Sequence, residues 1–364
     1  MPIREESFRI GCGRYIQGNG YISKCGEEIC RVGRAPLIIG DDITLGLTEK
    51  KIIDAVGACC EKYKIVAHNG TCNETDAKSL AELATSNNFD VIVGVGGGVI
   101  MDFAKLCAYF AKLPIINIPT SSATCASYAP LSVRYTVEGR TVGSKHYENE
   151  VNAVIVDSEI VGSQPIRLLL SGVFDALAKF VEIKQRFKGD IDGEYPMGLD
   201  YAYTMAEHSY RVLNEKIVKC ISDMKKGDIT DDVEKVIFTA IAATGVISGI
   251  ARGSNQCAIA HKFYETTRTL FHESARPYLH GEIVGVGLLL QNYFNGEEKN
   301  NEKLLKLMKD HGMPYRVEDI GVEKNDKIFE EYYNMICKSS AIDDSSADEC
   351  RRFRSALEYL WNIE

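Results

Sequence analysis

What the chain has little of narrows its class first. Its 364 residues include one Trp and nine Pro, and no Pro-, Gly- or Ser-rich tract reads as a low-complexity linker. Basic residues are in deficit, 42 Lys and Arg against 51 Asp and Glu, giving a net charge of −9. A nucleic acid or an anionic membrane needs a basic face, so neither is expected as a partner. The opening MPIREESFRIG has no apolar core of the secretory kind, and a cytoplasmic location is expected. No apolar run is expected to reach the ~20 residues of a membrane span. Cysteine, by contrast, is plentiful at twelve, yet no two are spaced C-x-x-C, and Cys59 and Cys60 are adjacent. Cys107, Cys220 and Cys257 fall in apolar helical patterns, so the thiols read as reduced and mostly buried. Cys125 stands apart in a loop.

What the chain does have is concentrated between Asp90 and Tyr135. Val91-Ile92-Val93 has the pattern of a buried strand, and Gly94, Gly96, Gly97 and Gly98 turn the chain. A helix is predicted from near Ile100–Asp102 to about Lys112. A second strand, Ile115–Ile118, ends in Pro119-Thr120. Parallel strands need a crossover of this kind. Glycines at a helix N-terminus expose N–H groups and admit close approach, which suits phosphate. Asp102, in the first turn, can hold the loop shape. The spacing is GxGGG, neither GxGxxG nor a Walker loop, and a tight turn needing glycine for geometry alone remains open. The run Ser121–Ser127, small and rich in hydroxyls, follows at the strand edge where open α/β sheets bind ligands.

Before this unit, Ala35–Gly40 reads as the first buried strand, after an N-terminal strand or hairpin within residues 1–34. A helix over Thr48–Tyr63, a strand at Lys64–Ala67 and a helix over Glu74–Asn87 follow. Ala153–Asp157 reads as one more strand. Short strands alternating with helices predict a doubly wound, mostly parallel, Rossmann-like sheet. Beyond about residue 160, helical patterns take over: Leu168–Arg186, Tyr201–Ile221, Asp231–Ile250, Ser254–Phe271, His280–Phe294, Glu302–Asp310 and Lys324–Lys338. Two domains are expected, an α/β cofactor domain at 1–160 and an all-α domain at 161–364.

In the helical half, Asp175 sits inside an apolar helix, His261 follows an apolar stripe, and His280 opens a very apolar helix. Buried charge is costly unless paired or coordinating. Two imidazoles and a carboxylate suit a divalent metal with a position left for substrate, though helical cores also hold such residues singly. His272 is near enough to His280 in sequence to be a rival ligand, but FHES reads as a solvated loop.

Taken together, VGVGGGxxxD, IPT, LSVxY, GxxDALAKxxE, AH and HGExVxxG resemble, in order and spacing, the group III ("iron-containing") metal-dependent alcohol dehydrogenases. The resemblance runs over nearly the whole chain and is strongest to the glycerol dehydrogenase-like branch. It implies a dehydroquinate synthase-like architecture, NAD and one divalent metal, zinc favoured, with iron or manganese as alternatives. It implies Asp175, His261 and His280 as metal ligands and Gly97, Gly98 and Asp102 at the pyrophosphate. Thr120, Leu131 and Tyr135 would line the rest of the cofactor. Asp41 would meet the adenosine ribose, where an acid favours NAD over NADP. The implied activity is oxidation of a secondary hydroxyl of a small polyol, with hydride passing to nicotinamide, in a homo-oligomer (a dimer or larger).

The chain also departs from its branch. Val99 stands where many glycerol dehydrogenases carry Lys, and Cys125 stands in place of a substrate-contacting Asp. Lys179 stands where iron-dependent members have a fourth, His, ligand, and Tyr264-Glu265 replaces His-Asn. The loop ATCASYAPLSVRY resembles the hydroxycarboxylate dehydrogenases. A 2-hydroxy or 2-oxo acid is therefore the alternative substrate, with Cys125 in the pocket and Lys179 or Arg134 pairing its carboxylate. A catalytically degenerate member that binds NAD or metal without turnover is a further alternative. A dehydroquinate synthase-like lyase would want a Glu ligand where Asp175 stands.

Overall fold

The computed structural model describes residues 8–186, 197–252 and 257–364. It divides into two compact units. The first comprises Arg9–Pro165 with Glu215–Val246, and the second comprises the described parts of 166–214 and 247–364.

The first unit is built on a six-stranded sheet in which every neighbouring pair is parallel. In chain order its parts begin with β1 (Tyr15–Gly18), α1 (Cys25–Ile29), β2 (Pro36–Gly40), α2 (Asp42–Gly57) and β3 (Lys64–Ala67). Then come α3 (Glu74–Ser86), β4 (Val91–Gly96), α4 (Gly98–Ala111) and β5 (Ile115–Pro119). A hairpin of β6 (Leu131–Tyr135) and β7 (Thr141–His146) precedes β8 (Ala153–Asp157) and α5 (Ser158–Gly162). The sheet order β1-β8-β5-β4-β2-β3 is the doubly wound arrangement that the strand and helix alternation predicts. β2, β4, β5 and β8 are buried along their whole length, which is why they read as unbroken apolar runs rather than alternating ones. At Gly94 a Cβ would come within 2.7 Å of the Ala104 Cβ, so α4 lies close on β4 only because that residue is glycine.

Several boundaries differ from expectation for local reasons. The helix expected over Thr48–Tyr63 starts at Asp42, because Asp41 and Thr44 form a reciprocal capping box. Asn73 caps α3 through the Asp76 N–H, at 2.9 Å. The antiparallel β6–β7 hairpin was not foreseen; β7 is polar and largely exposed, so it carries little hydrophobic pattern.

The second unit is helical: α6 (Ile166–Arg186), α7 (Met197–Lys226, within which the division falls), α9 (Thr244–Ile250, mostly in this unit), α10 (Ile259–Leu270), α11 (His272–Ala275), α12 (His280–Phe294), α13 (Asn300–Asp310), α14 (Asp326–Cys337) and α15 (Ala347–Trp361). The expected helix start at Ser254 lies outside the described residues. The last helix, capped by Ser346, was not anticipated. Between α7 and α9, α8 (Asp231–Phe238) and a π-helical turn (Thr239–Ala243) pack with the sheet unit rather than with the helices they were expected to join. Gln17 Nε2 donates to the Glu234 carbonyl at 2.8 Å, and the Tyr15 and Phe238 rings meet edge-on at 5.5 Å. The segment thus lies along β1, an edge strand whose open side needs cover. By length and composition Asp231–Ile250 could cross a membrane, but 61 % of that window is buried inside the protein, as in a core helix.

Candidate active site

Helix α6 carries Asp175, Lys179 and Glu182 at i, i+4 and i+7, a spacing that puts all three on one face. α12 can pack tightly on α6 because of its glycines. A Cβ on Gly281 would lie 1.7 Å from the Ser171 carbonyl oxygen, and one on Gly285 2.8 Å from the Phe174 ring. Gly287 serves the same purpose against Ala260 of α10. Glu282 fixes the start of α12: it accepts from the Leu279 N–H at 2.7 Å and from Arg167 through both its oxygens, each at 2.6 Å. His280, the first residue of that helix, is thereby aimed at α6.

The result is a convergence of the three expected ligands. Asp175 Oδ1 lies 3.3 Å from His261 Nε2 and 3.7 Å from His280 Nε2, and one ligand atom from each lies within 4.8 Å of the others. An N,N,O set of this kind fits a divalent ion. Asp175 Oδ1 is buried and makes no hydrogen bond of good geometry, although the Lys179 ammonium sits 2.8 Å away. That ammonium is also 3.3 Å from His261 Nε2, so Lys179 is committed to this corner. His272 is not part of the cluster.

Glu182 is the residue that sequence reading underused, although it closes the motif GxxDALAKxxE. It is fully buried, accepts from the backbone N–H groups of Ala258 and His261, each at 2.8 Å, and accepts from His261 Nδ1–H. A carboxylate can only accept, so Nδ1 carries the proton and Nε2 faces Asp175. Burial disfavours the charged imidazole, but Glu182 overrides it and holds His261 up at about 10. A proton and a metal therefore compete for the same Nε2. At Asp175 burial would raise the carboxyl, yet the Lys179 ammonium and the two imidazoles outweigh it and hold it well below the usual range. Desolvation lowers His280, whose ring meets the edge of Tyr264 at 4.3 Å. Tyr264 thus packs on the His280 ring, while Glu265 pairs with Lys262.

The sheet unit carries the second group of expected residues at the carboxyl ends of its strands. Asp41 follows β2 and accepts from the Thr44 N–H at 2.8 Å. Gly97 caps α4, and Gly98 begins it. A Cβ on Gly97 would meet nothing nearer than Ser121 Oγ at 3.9 Å, and its φ of −83° suits any residue. The protein itself does not require glycine there, whereas a pyrophosphate lying on the helix N-terminus would. The Thr120 N–H donates to the Gly96 carbonyl at 3.0 Å. Asp102 is buried, and its carboxylate is taken up by the Val133 N–H at 3.0 Å and the Lys105 ammonium at 3.0 Å. Lys105, which was not anticipated, is 3 % exposed and donates to the carbonyls of Ala126, Ala129 and Leu131. Its signal was the same as that of Asp175, a charge inside an apolar helix. Through Lys105, α4 holds the loop bearing Cys125 and the strand bearing Leu131 and Tyr135. Arg134, suggested as a carboxylate partner, is instead paired with Glu74.

Known proteins share the sequence pattern and the fold of this chain. Residues 12–158 match the iron-containing alcohol dehydrogenase family. The chain is 30 % identical over 316 residues to a glycerol dehydrogenase from Thermotoga maritima, covering 85 % of this chain and 84 % of that one. The chain belongs to the iron-containing alcohol dehydrogenase family. It is also 27 % identical to hydroxycarboxylate dehydrogenase A of Escherichia coli, over 90 % and 89 % of the two chains. A solved structure, that of a probable glycerol dehydrogenase from Sinorhizobium meliloti, shares the fold with a TM-score of 0.80 at 23 % identity, covering 99 % of this chain and 100 % of that one. As a member of this family the protein is an NAD-dependent, metal-containing alcohol dehydrogenase.

Proposed function

We propose that this dehydrogenase oxidises a secondary hydroxyl of a small polyol, glycerol or a close relative, holding its metal on Asp175, His261 and His280. The observation that carries the ligand assignment is the approach of those three side chains to within 4.8 Å of one another. When bound, the metal supplies Lewis acidity that lowers the pKa of the substrate hydroxyl, and NAD accepts the hydride. The remaining work falls to this chain's own groups. Glu182 holds His261 so that Nε2 points at the site, Tyr264 packs His280, and Lys179 offsets the charge of Asp175. Gly97 and Gly98 offer the α4 N-terminus to the pyrophosphate, and Thr120, Leu131 and Tyr135 stand on the loop and strand that Lys105 and Asp102 anchor. The Asp41 carboxylate disfavours a 2′-phosphate, hence NAD over NADP. Two imidazoles and one carboxylate suit zinc, iron or manganese; zinc is favoured on the resemblance to the glycerol dehydrogenases.

A hydroxy-acid substrate draws support from Cys125, which leaves the loop without an acid, and from the likeness to hydroxycarboxylate dehydrogenase A. Against it, Arg134 and Lys179 are already paired with Glu74 and Asp175. The test is NAD reduction by the metal-loaded protein with glycerol, 1,2-propanediol and 2-hydroxybutyrate, with Asp175→Ala as control. Turnover of the polyols, lost in the variant, is expected. Turnover confined to the hydroxy acid would overturn the polyol assignment.

A further inference from the structure

Outside the dehydrogenase machinery, one group of side chains has the composition of a second site. Cys30 directly follows α1, and Cys59 and Cys60 follow the end of α2, so the pairing is invisible as a spacing motif. The fold nonetheless sets the three sulfurs within 4.8 Å of one another, with Cys30 Sγ and Cys60 Sγ 3.6 Å apart. Four thiolates around zinc at a Zn–S distance of about 2.3 Å stand roughly 3.8 Å from each other, so little movement is required. The approach is built in. A Cβ on Gly26 of α1 would lie 2.2 Å from the Ala55 carbonyl oxygen and 2.7 Å from Cys59 Sγ, so only glycine lets α1 come this close to α2.

We propose that Cys30, Cys59 and Cys60 form a trithiolate site for a thiophilic d10 ion such as Zn2+, distinct from the Asp175 corner. The residues precede β2 and β3, at the amino ends of the strands, whereas the glycine turn lies at their carboxyl ends. The site therefore cannot serve the cofactor; it ties α1 to the end of α2. All three residues are half-buried, leaving solvent access for the ion and for a water in the fourth position. Without an ion the thiols rest on weak contacts, Cys30 Sγ–H to the Cys59 carbonyl and Cys59 Sγ–H to the Ala55 carbonyl, each at 3.3 Å. Burial and then their own proximity push the Cys59 and Cys60 thiols up, which disfavours a reactive redox thiolate. A cation relieves this crowding. Binding replaces up to three thiol protons, released to solvent, with one ion and changes no oxidation state.

The full chain, reduced with a phosphine and freed of metal, is titrated with Cd2+ while the ultraviolet sulfur-to-cadmium charge-transfer band is followed. A band that saturates with one ion bound at the thiols is expected, and it should be kept in Asp175→Ala, since none of the three ligands proposed for that corner is a sulfur. The band should disappear in Cys30→Ser combined with Cys60→Ser, with dehydrogenase turnover retained. Should that variant misfold, alkylation and peptide mapping of the unaltered protein give an independent reading: cadmium should protect Cys30, Cys59 and Cys60 together. No band, a band surviving the double substitution, protection at other cysteines, or a Cys30–Cys60 disulfide formed in air without any metal protection would each overturn the proposal.

Discussion

The proposed metal corner and the proposed cofactor edge are built on different principles. At the corner, buried charged side chains do the positioning: Asp175, Lys179, Glu182 and His261 are all at most 7 % exposed and are paired in charge with one another. At the edge, backbone takes the larger part, with Gly97 leaving room and one buried pair, Lys105 with Asp102, holding the loop carbonyls and the Val133 N–H. Charged networks in a low dielectric are costly to disturb, because removing one member strands the others. A glycine turn can be altered with small effect on the fold. The two regions should therefore fail differently, and substitutions can test whether they do.

The largest effect is expected from Asp175→Ala. It removes the carboxylate of the proposed ligand set, and loss of Lewis-acid activation worth several kcal/mol corresponds to roughly a thousandfold or more in turnover. NAD affinity, measured by fluorescence titration, should be kept. Joint loss of NAD binding would erase the distinction between the regions.

Next comes Lys105→Met, which attacks the edge at its buried ammonium. It leaves Asp102 without its ammonium and frees the loop carbonyls, at a cost of about 3–5 kcal/mol, as for other broken buried pairs. Denaturant unfolding should record that loss. NAD affinity should fall while metal content in the surviving folded protein stays the same. A stability change below about 1 kcal/mol would mean that the lysine is dispensable to the loop.

Glu182→Gln is a subtler probe of the corner. The glutamine carbonyl can still accept from backbone N–H groups, but the charge that fixes His261 is gone. Metal affinity should drop about 10- to 100-fold, the usual size for such outer partners. Ring-nitrogen NMR should show the His261 tautomer no longer fixed. An unchanged tautomer with full metal affinity would make Glu182 a purely structural acid.

How much of this could be read in advance follows the same divide. β3 and β8 and the helix opening at His280 were legible because apolar periodicity is local. Asp175, His261 and His280 were legible as charges and imidazoles standing in apolar helices. What escaped was long-range. Lys105 sends its ammonium to carbonyls some twenty to thirty residues on, and residues 215–246 joined the sheet through edge contacts that no periodicity encodes. The cysteines read as mostly buried, yet seven of the twelve are half-buried. Three of those meet only because α1 and α2 pack together. Spacing rules detect sites within a segment, and these are assembled across segments.

The smallest effect is the sharpest comparison: glycine against glycine. At Gly281 a Cβ would meet the Ser171 carbonyl oxygen at 1.7 Å, so Gly281→Ala must push α12 off α6 and spoil the corner along with stability. At Gly97 the nearest atom is 3.9 Å away and the backbone is ordinary, so Gly97→Ala should change unfolding free energy by no more than about 0.5 kcal/mol. If that open space belongs to the cofactor pyrophosphate, the same methyl should weaken NAD by about tenfold, roughly 1.4 kcal/mol, while metal affinity holds. Calorimetric titration with NAD, beside a thermal melt of the same variant, separates the two outcomes. A melt left in place with NAD affinity lowered assigns Gly97 to the ligand. A melt left in place with NAD affinity intact would place the pyrophosphate elsewhere and leave the glycine turn without a ligand to explain it.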